Sequence, residues 1–351
     1  MPSLQLQADH PDGLTLDFGG PRYVPRCYDG GNNFAKLDPE QCAFETARVA
    51  VVPLPYDSTC SARGGMREGP GRILQASWWI DCFHPHLQFD PCEVGIATLD
   101  DVHPHMGGPR HTIERIAQTC WNVLQYDKFL VTLGGEHTVT VGVCAALAAQ
   151  FGPFSILQLD AHLDLRDQWE DTPWNHACVM RRMAEILTAV GGDGPRLLAQ
   201  VGIRNVSPDE FAYLQTEQLA PFYARDLHER VAPQWQDEVL ARLGPNVFIT
   251  VDLDGFDPSV IPAVGTPEPG GLYWQQVVPL LRRVFRERHV LALDVNELCP
   301  IAGQNVSEVA TARLIAECLA YKFAGEAHWR NWGVAHKSPG SGMVRDPPAR
   351  K

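Results

Sequence analysis

Three apolar runs in this chain each lead into residues able to hold a cation. Val131-Thr132-Leu133 precedes Gly134-Gly135-Glu136-His137, and Ile156-Leu157-Gln158-Leu159 precedes Asp160-Ala161-His162-Leu163-Asp164. Val247-Phe248-Ile249-Thr250-Val251 precedes Asp252-Leu253-Asp254. Side chains at i, i+2 and i+4 of an extended segment share a face, so Asp160, His162 and Asp164 are expected to point one way, as are Asp252 and Asp254. With His137 the set holds four carboxylates and two imidazoles, more anionic charge than one divalent ion needs. Two ions with bridging carboxylates are the economical reading. Such a pair, about 3.5–4 Å apart, can share a water and lower its pKa by several units, which makes hydroxide available at neutral pH. Ligands drawn from His and Asp without Cys suit Mn²⁺ and are compatible with Ni²⁺, Co²⁺, Fe²⁺ or Zn²⁺; the excess of hard carboxylates favours Mn²⁺. The chemistry is hydrolysis, with the bond unspecified.

Each motif alone has a plainer reading. Gly-Gly-Glu-His is ordinarily a turn into a helix, with Thr138 as its N-cap, and Asp-x-Asp is ordinarily a solvated turn. What favours the metal reading is their joint placement at the ends of runs that read as strands. Strands are expected near 47–53, 94–98, 129–133, 154–159, 197–202, 221–224, 247–252 and 290–295, with amphipathic helices near 111–126, 139–150, 176–189, 234–243 and 274–288. This alternation means parallel strands joined by crossover helices, and the nearly all-apolar strands imply a sheet buried on both faces. Ligands of open parallel sheets bind outside the carboxyl ends of the strands. All three clusters fall there, and so does Glu297, after Val290-Leu291-Ala292-Leu293-Asp294-Val295.

The remaining composition narrows the partners. A formal charge of −13 argues against nucleic acid, whose phosphates need clustered Lys and Arg. Ten scattered cysteines without a C-x-x-C pair read as reduced, buried thiols. The first residues lack the features of a signal peptide and no run is long enough to span a membrane, so a cytoplasmic location is expected. Residues 1–45, rich in Gly, Pro and Asp, are expected to form an irregular N-terminal extension. Residues 46–325 are expected to form the catalytic domain, and 326–351 a C-terminal tail whose basic, Pro/Gly-rich end, 337–351, frays. Asp101-Val102-His103-Pro104-His105 with His111 suggests a second metal site, but its Pro/Gly setting favours a solvated loop. Trp78-Trp79 and Trp329/Trp332 read as packing residues.

Four segments in order, Gly134–His137, Asp160–Asp164, Asp252-Leu253-Asp254-Gly255-Phe256-Asp257-Pro258 and Gly265-Thr266-Pro267-Glu268-Pro269-Gly270-Gly271-Leu272, resemble the signatures of the ureohydrolases, the arginase/agmatinase family. Pro55-Tyr56-Asp57-Ser58-Thr59 is similar to that family's early active-site loop. The resemblance covers roughly residues 47–325. It implies a three-layer α/β/α fold with a central, mostly parallel sheet of about eight strands, two Mn²⁺ ions and a homo-oligomer, a trimer or hexamer. By the same resemblance His137, Asp160, Asp164 and Asp252 would hold one ion, and Asp160, His162, Asp252 and Asp254 the other. Glu297 would pair with a substrate guanidinium, Asp164 would carry a proton to the leaving amine, and His176 would shuttle protons at the cleft mouth.

The family's arginine-specific members clamp the amino-acid end partly through an Asn at the position that Arg166 occupies in this chain, which argues against arginine. The best-matched strings, Asp164-Leu165-Arg166-Asp167 and His176-Ala177-Cys178 among them, resemble microbial agmatinase-type members. The expected reaction is agmatine to putrescine and urea, with Asp167, Glu170 and Asp171 attracting the tail amine. An Arg166 facing the cleft would instead favour 4-guanidinobutyrate, while pairing with Asp167 or Glu170 would make it neutral. Guanidine, with Trp169 or Trp174 closing the pocket, is a further alternative, as is a non-catalytic regulatory relative. A metallophosphoesterase would need an additional His/Asn set that the sequence lacks.

Overall fold

Every β-branched run singled out above becomes a strand. The structure, a computed structural model, describes residues 3–6, 13–18, 26–27 and 32–335. In chain order the strands are β1 (Ser3–Leu6), β2 (Leu14–Asp17), β3 (Val49–Leu54), β4 (Ile96–Thr98), β5 (Phe129–Gly134), β6 (Ser155–Leu159), β7 (Leu198–Ile203), β8 (Phe222–Tyr223), β9 (Asn246–Asp252) and β10 (His289–Asn296). The helices are α1 (Pro39–Cys42), α2 (Gly69–Ser77), α3 (Pro109–Leu124), α4 (Thr140–Phe151), α5 (Val179–Ala189), α6 (Pro208–Glu217), α7 (Ala224–His228), α8 (Ala232–Arg242), α9 (Trp274–Glu287), α10 (Val306–Phe323) and α11 (Glu326–Ala335).

Eight strands make one sheet in the order β4-β3-β5-β10-β9-β6-β7-β8, and every pairing in it is parallel. Alternate residues of one strand enter different cores. Val49 and Val51 of β3 pack with residues of α2, α8, α9 and α10, whereas Ala50, Val52 and Leu54 pack with residues of α3, α4 and α5. Helices therefore cover both faces, the three-layer α/β/α arrangement, and the strands are continuously apolar because no face meets water. Truncating a fully buried side chain here, such as Leu157, to alanine costs about 2–5 kcal/mol.

The extension expected to be irregular contains an antiparallel pair, β1 with β2. Leu4, Leu14, Leu16 and Phe18 are buried in the core beneath α3, α4 and α5. The short alternation in Leu14-Thr15-Leu16-Asp17, inside outside inside outside, is the signal that the Gly and Pro content obscured. The expected C-terminal tail begins with helix α11, on which Trp329 stacks against Tyr321; the expected fraying at 337–351 lies outside the described residues. Among the described residues no helix is long and apolar enough to cross a membrane.

Parallel register brings the scattered motifs together. β5, β10, β9 and β6 are consecutive neighbours in the sheet, although their sequence order is different. Val295 is level with Leu133 and with Val251, and Val251 is level with Leu159. Four carboxyl ends thus stop within about one residue of each other at a single edge.

Candidate metal centre

The backbone reaches this edge by a route other than the expected one. β6 ends at Leu159, and Asp164 lies in the left-handed region with φ of 53°, so Asp160, His162 and Asp164 are not on one face of a strand. Hydrogen bonds aim them instead. Asp160 Oδ1 accepts from the His162 amide at 2.6 Å, and Oδ2 accepts from Gln158 Nε2 at 2.6 Å. Asp252 closes β9 and its Oδ1 accepts from the Asp254 amide at 2.9 Å, in a one-turn 3₁₀ helix. Asp254 Oδ1 then accepts from the Ala161 amide at 3.0 Å, which latches the two motifs together. Gly255 permits the approach, since a Cβ there would lie 2.7 Å from the Asp160 nitrogen. Likewise a Cβ on Gly135 would lie 2.0 Å from the carbonyl oxygen of Tyr56, so the turn before His137 requires glycine. Thr138 does not cap α4; its hydroxyl meets that of Thr59 at 3.1 Å.

All six candidate ligands meet. His137 Nδ1 is 3.0 Å from Asp164, 3.4 Å from Asp160 and 3.5 Å from Asp252. His162 Nδ1 is 3.1 Å from Asp254 and 3.6 Å from Asp160. The donor atoms form two groups, His137 with Asp160 and Asp252, and Asp160 with His162 and Asp254, each spanning no more than 4.8 Å. Asp160 belongs to both. The tautomer of His137 follows from its other side. Thr250 Oγ1 donates to Asp294 at 3.0 Å and lies 3.0 Å from His137 Nε2. A hydroxyl has one proton, so Thr250 accepts from Nε2–H, and Nδ1 is the nitrogen that faces the carboxylates and would give its lone pair to a bound cation.

The electrostatics show what the cluster suits. Burial pushes Asp252 well above the carboxylate range, with Asp254, Asp160 and Glu297 adding to it. Burial, then Asp160, raises Asp164 to about 7. Burial alone would also raise Asp160, but hydrogen bonds to His137 and His162 outweigh it and hold Asp160 below the usual range. Burial would lower His162, yet Asp254 and Asp160 push it up to about 12; His137, against the same burial, is raised well above its ordinary value by Asp160 and Asp164. Carboxylates crowded out of water take up protons or cations. Oxygen and imidazole donors without thiolate fit divalent ions such as Mn²⁺, so the residues present suit a pair of them.

Around this floor lie supports that the motifs did not disclose. Asp294, fully buried, accepts from Thr132, Thr140, Thr250 and Asn296. An acid inside an otherwise apolar strand was the available signal. Glu297 follows β10 with φ of 68°; its amide donates to Gly135 at 2.8 Å, and its Oε1 accepts from the His137 amide at 2.6 Å. Burial raises its carboxyl well above the usual range. Arg204 donates to the carbonyls of Gly202, Asp254, Gly255, Phe256 and Glu268, tying the Asp252–Phe256 turn to the Gly265–Glu268 loop.

A cleft of about 370 Å³ opens from His162 and Asp164, lined also by Ser61, His176, Arg166, Trp169 and Glu268. His176 Nδ1 is 2.7 Å from the Thr59 carbonyl oxygen, which only accepts, so Nδ1 carries the proton and Nε2 faces Ser61 Oγ at 3.2 Å. Burial pushes His176 down to about 4, leaving it neutral near pH 7. From the Pro55–Thr59 loop, Thr59 donates through its amide and hydroxyl to Glu136, each at 2.7 Å, and burial raises Glu136 to about 7.

Arg166 pairs with neither Asp167 nor Glu170. Its guanidinium lies 3.9 Å from the ring centroid of Trp169, while Asp167 accepts from buried Arg182 at 2.7 Å. Asp167, Glu170 and Asp171 do not line the cleft; Glu268, Glu210 and Asn205 do. Trp174 is fully buried and cannot close the pocket, although Trp169 lines it. His105 stacks on His111 with centroids 4.9 Å apart, and neither they nor His103 join a ligand group among the described residues.

The Arginase family model matches residues 47–321. An N(1)-aminopropylagmatine ureohydrolase of Thermus thermophilus is 38% identical over 293 residues, 84% of this chain and 96% of the relative. One from Synechocystis is 36% identical over 290 residues, 80% of this chain and 90% of the relative. Among solved structures, the agmatine ureohydrolase of Thermoplasma volcanium superposes with a TM-score of 0.72 at 27% identity, covering 86% of this chain and 97% of the other.

Proposed function

The chain belongs to the arginase family, and from that membership we propose that it hydrolyses a guanidino compound bearing a cationic tail to urea and an amine. N(1)-aminopropylagmatine is placed ahead of agmatine because the relatives at 36–38% identity carry that name. The observation that carries the reading is the six-residue His/Asp cluster at the carboxyl edge of the sheet, two of whose members, His162 and Asp164, line the cleft. Two divalent ions held there would supply the Lewis acidity that brings a water's pKa toward neutrality. His137, Asp160, Asp164 and Asp252 would hold one, and Asp160, His162, Asp252 and Asp254 the other, with Mn²⁺ the first choice.

Glu297 presents a planar carboxylate to the planar guanidinium and fixes the guanidino carbon for attack. Asp164 passes a proton to the departing nitrogen, so one water and one guanidinium become urea and an ammonium. Neutral His176 exchanges protons through Nε2 at the cleft. A homo-oligomer, trimeric or hexameric, belongs to the proposal and is read by mass in solution.

One observation favours a second reading. Arg166 lines the cleft and makes no ion pair among the described residues, which would suit a carboxylate tail such as that of 4-guanidinobutyrate. The test is urea release from agmatine, N(1)-aminopropylagmatine, 4-guanidinobutyrate, guanidine and arginine after metal removal and reloading with Mn²⁺. Turnover of the two cationic substrates is expected. No urea from any compound, with two ions bound per chain, overturns the enzyme reading.

A further inference from the structure

The cleft carries opposite charges on two loops, and their bonding differs. Arg166 spends its guanidinium face on Trp169 at 3.9 Å. Glu268, half-buried on the Gly265–Glu268 loop, is held at three points. Its Oε1 accepts from Asn205 Nδ2 at 2.6 Å, and its carbonyl oxygen accepts from Arg204 Nε at 3.3 Å and from a terminal nitrogen at 2.7 Å. Asn205 in turn pairs by a parallel bridge with His162, so the carboxylate is tied to the backbone beside a candidate ligand. Oε2 of Glu268 receives no hydrogen bond among the described residues.

The other acids lining the cleft are engaged. Asp164 Oδ2 lies 3.0 Å from His137 Nδ1, within the proposed ligand set. Glu210 accepts from the Leu165 amide on Oε1 and from the Ser207 amide and hydroxyl on Oε2. Arg166 repels a cationic tail, and Glu268 is the acid placed to outweigh it. A carboxylate already held by its neighbours loses little freedom on pairing, and a half-enclosed ion pair is worth more than an exposed one.

We propose that Glu268 accepts the ammonium of the substrate tail and so makes the site selective for guanidino amines over guanidino acids. This rests on the amidinohydrolase reading above. Glu268→Gln keeps the bond from Asn205 and removes only the charge. It should raise KM for agmatine and N(1)-aminopropylagmatine by about tenfold or more, with the effect falling on KM more than on kcat. KM for 4-guanidinobutyrate should stay or fall. Glu268→Asp, which keeps the charge, should recover part of the loss. Arg166→Ala should move the ratio the other way, by a smaller factor. Two ions per chain in each variant confirm that the floor is intact. Equal KM changes for all three substrates, or none, overturn the proposal while leaving the hydrolase reading standing; a native enzyme that releases no urea from any substrate removes the reading beneath it.

Discussion

The floor and the mouth of the cleft are built on different principles. On the floor, Asp160, Asp252, Asp254 and His137 are all less than 5% exposed, stand at strand ends and are aimed by hydrogen bonds from neighbouring motifs. At the mouth, Trp169 is 37% exposed, and the Trp169–Thr172 turn closes on itself through bonds of 3.0 and 3.2 Å. Glu170 and Asp171 in that turn both have positive φ. The turn hangs from the fold by the Arg166 amide on Ala177 and by Asp167 on buried Arg182. A floor set by sheet register can keep its chemistry while a self-contained turn changes what enters, which is how loops on a rigid scaffold come to carry specificity.

That contrast can be broken most severely at the floor. Asp160→Ala removes the residue common to both donor groups, and Asp252→Ala removes the other proposed bridge; each should lose both ions and essentially all urea release. Metal analysis alongside activity checks this, and a fully active, fully loaded variant would refute the assignment. Next in size is the support beneath. Asp294→Asn or Thr250→Val should weaken metal binding about 10–100-fold, because the proton position on His137 is no longer fixed. Asp294→Asn should also cost about 1–3 kcal/mol in denaturant unfolding, through donors left unpaired.

A mouth variant sharpens the contrast. Arg182→Met removes one hold on Asp167 and should raise KM for long-tailed substrates a few-fold with metal content unchanged; loss of metal would show that mouth and floor are coupled. The smallest expected effect concerns His176. Its folded-state pKa of about 4 lies below the ordinary His value of about 6.5. The unfolded chain therefore binds the proton first, and stability is fully present above about pH 6.5 and lost as pH falls toward 4. Relative to His176→Gln, native protein should lose melting temperature across that window only.

Much of this was legible early because apolar runs bounded by acids mark buried parallel strands and their ends. Helices α2, α6 and α10 were not singled out. The even burial of α10, in which charged Glu308 and polar Ser307 and Thr311 are as enclosed as the leucines, blurs the 3.6-residue period that reveals a surface helix. The tail-attracting acids were sought beside the central motif, at Asp167, Glu170 and Asp171. Glu268 comes from a loop about a hundred residues away in the chain, brought in by Arg204 and Asn205, and local spacing carries no trace of that approach.

The sequence alone determined the donor types, their places after four of eight strand-forming runs and the family to which the pattern is similar, because these depend on residue identity and local periodicity. Only the tertiary structure decided which strands are neighbours, that Asp294 through Thr250 orients His137, and that Arg166 rests on Trp169 while one oxygen of Glu268 receives no hydrogen bond among the described residues. The reason is physical. Periodicity says which face a side chain takes within its own segment, whereas hydrogen bonds and stacking between segments far apart in the chain exist only after the sheet has set their register.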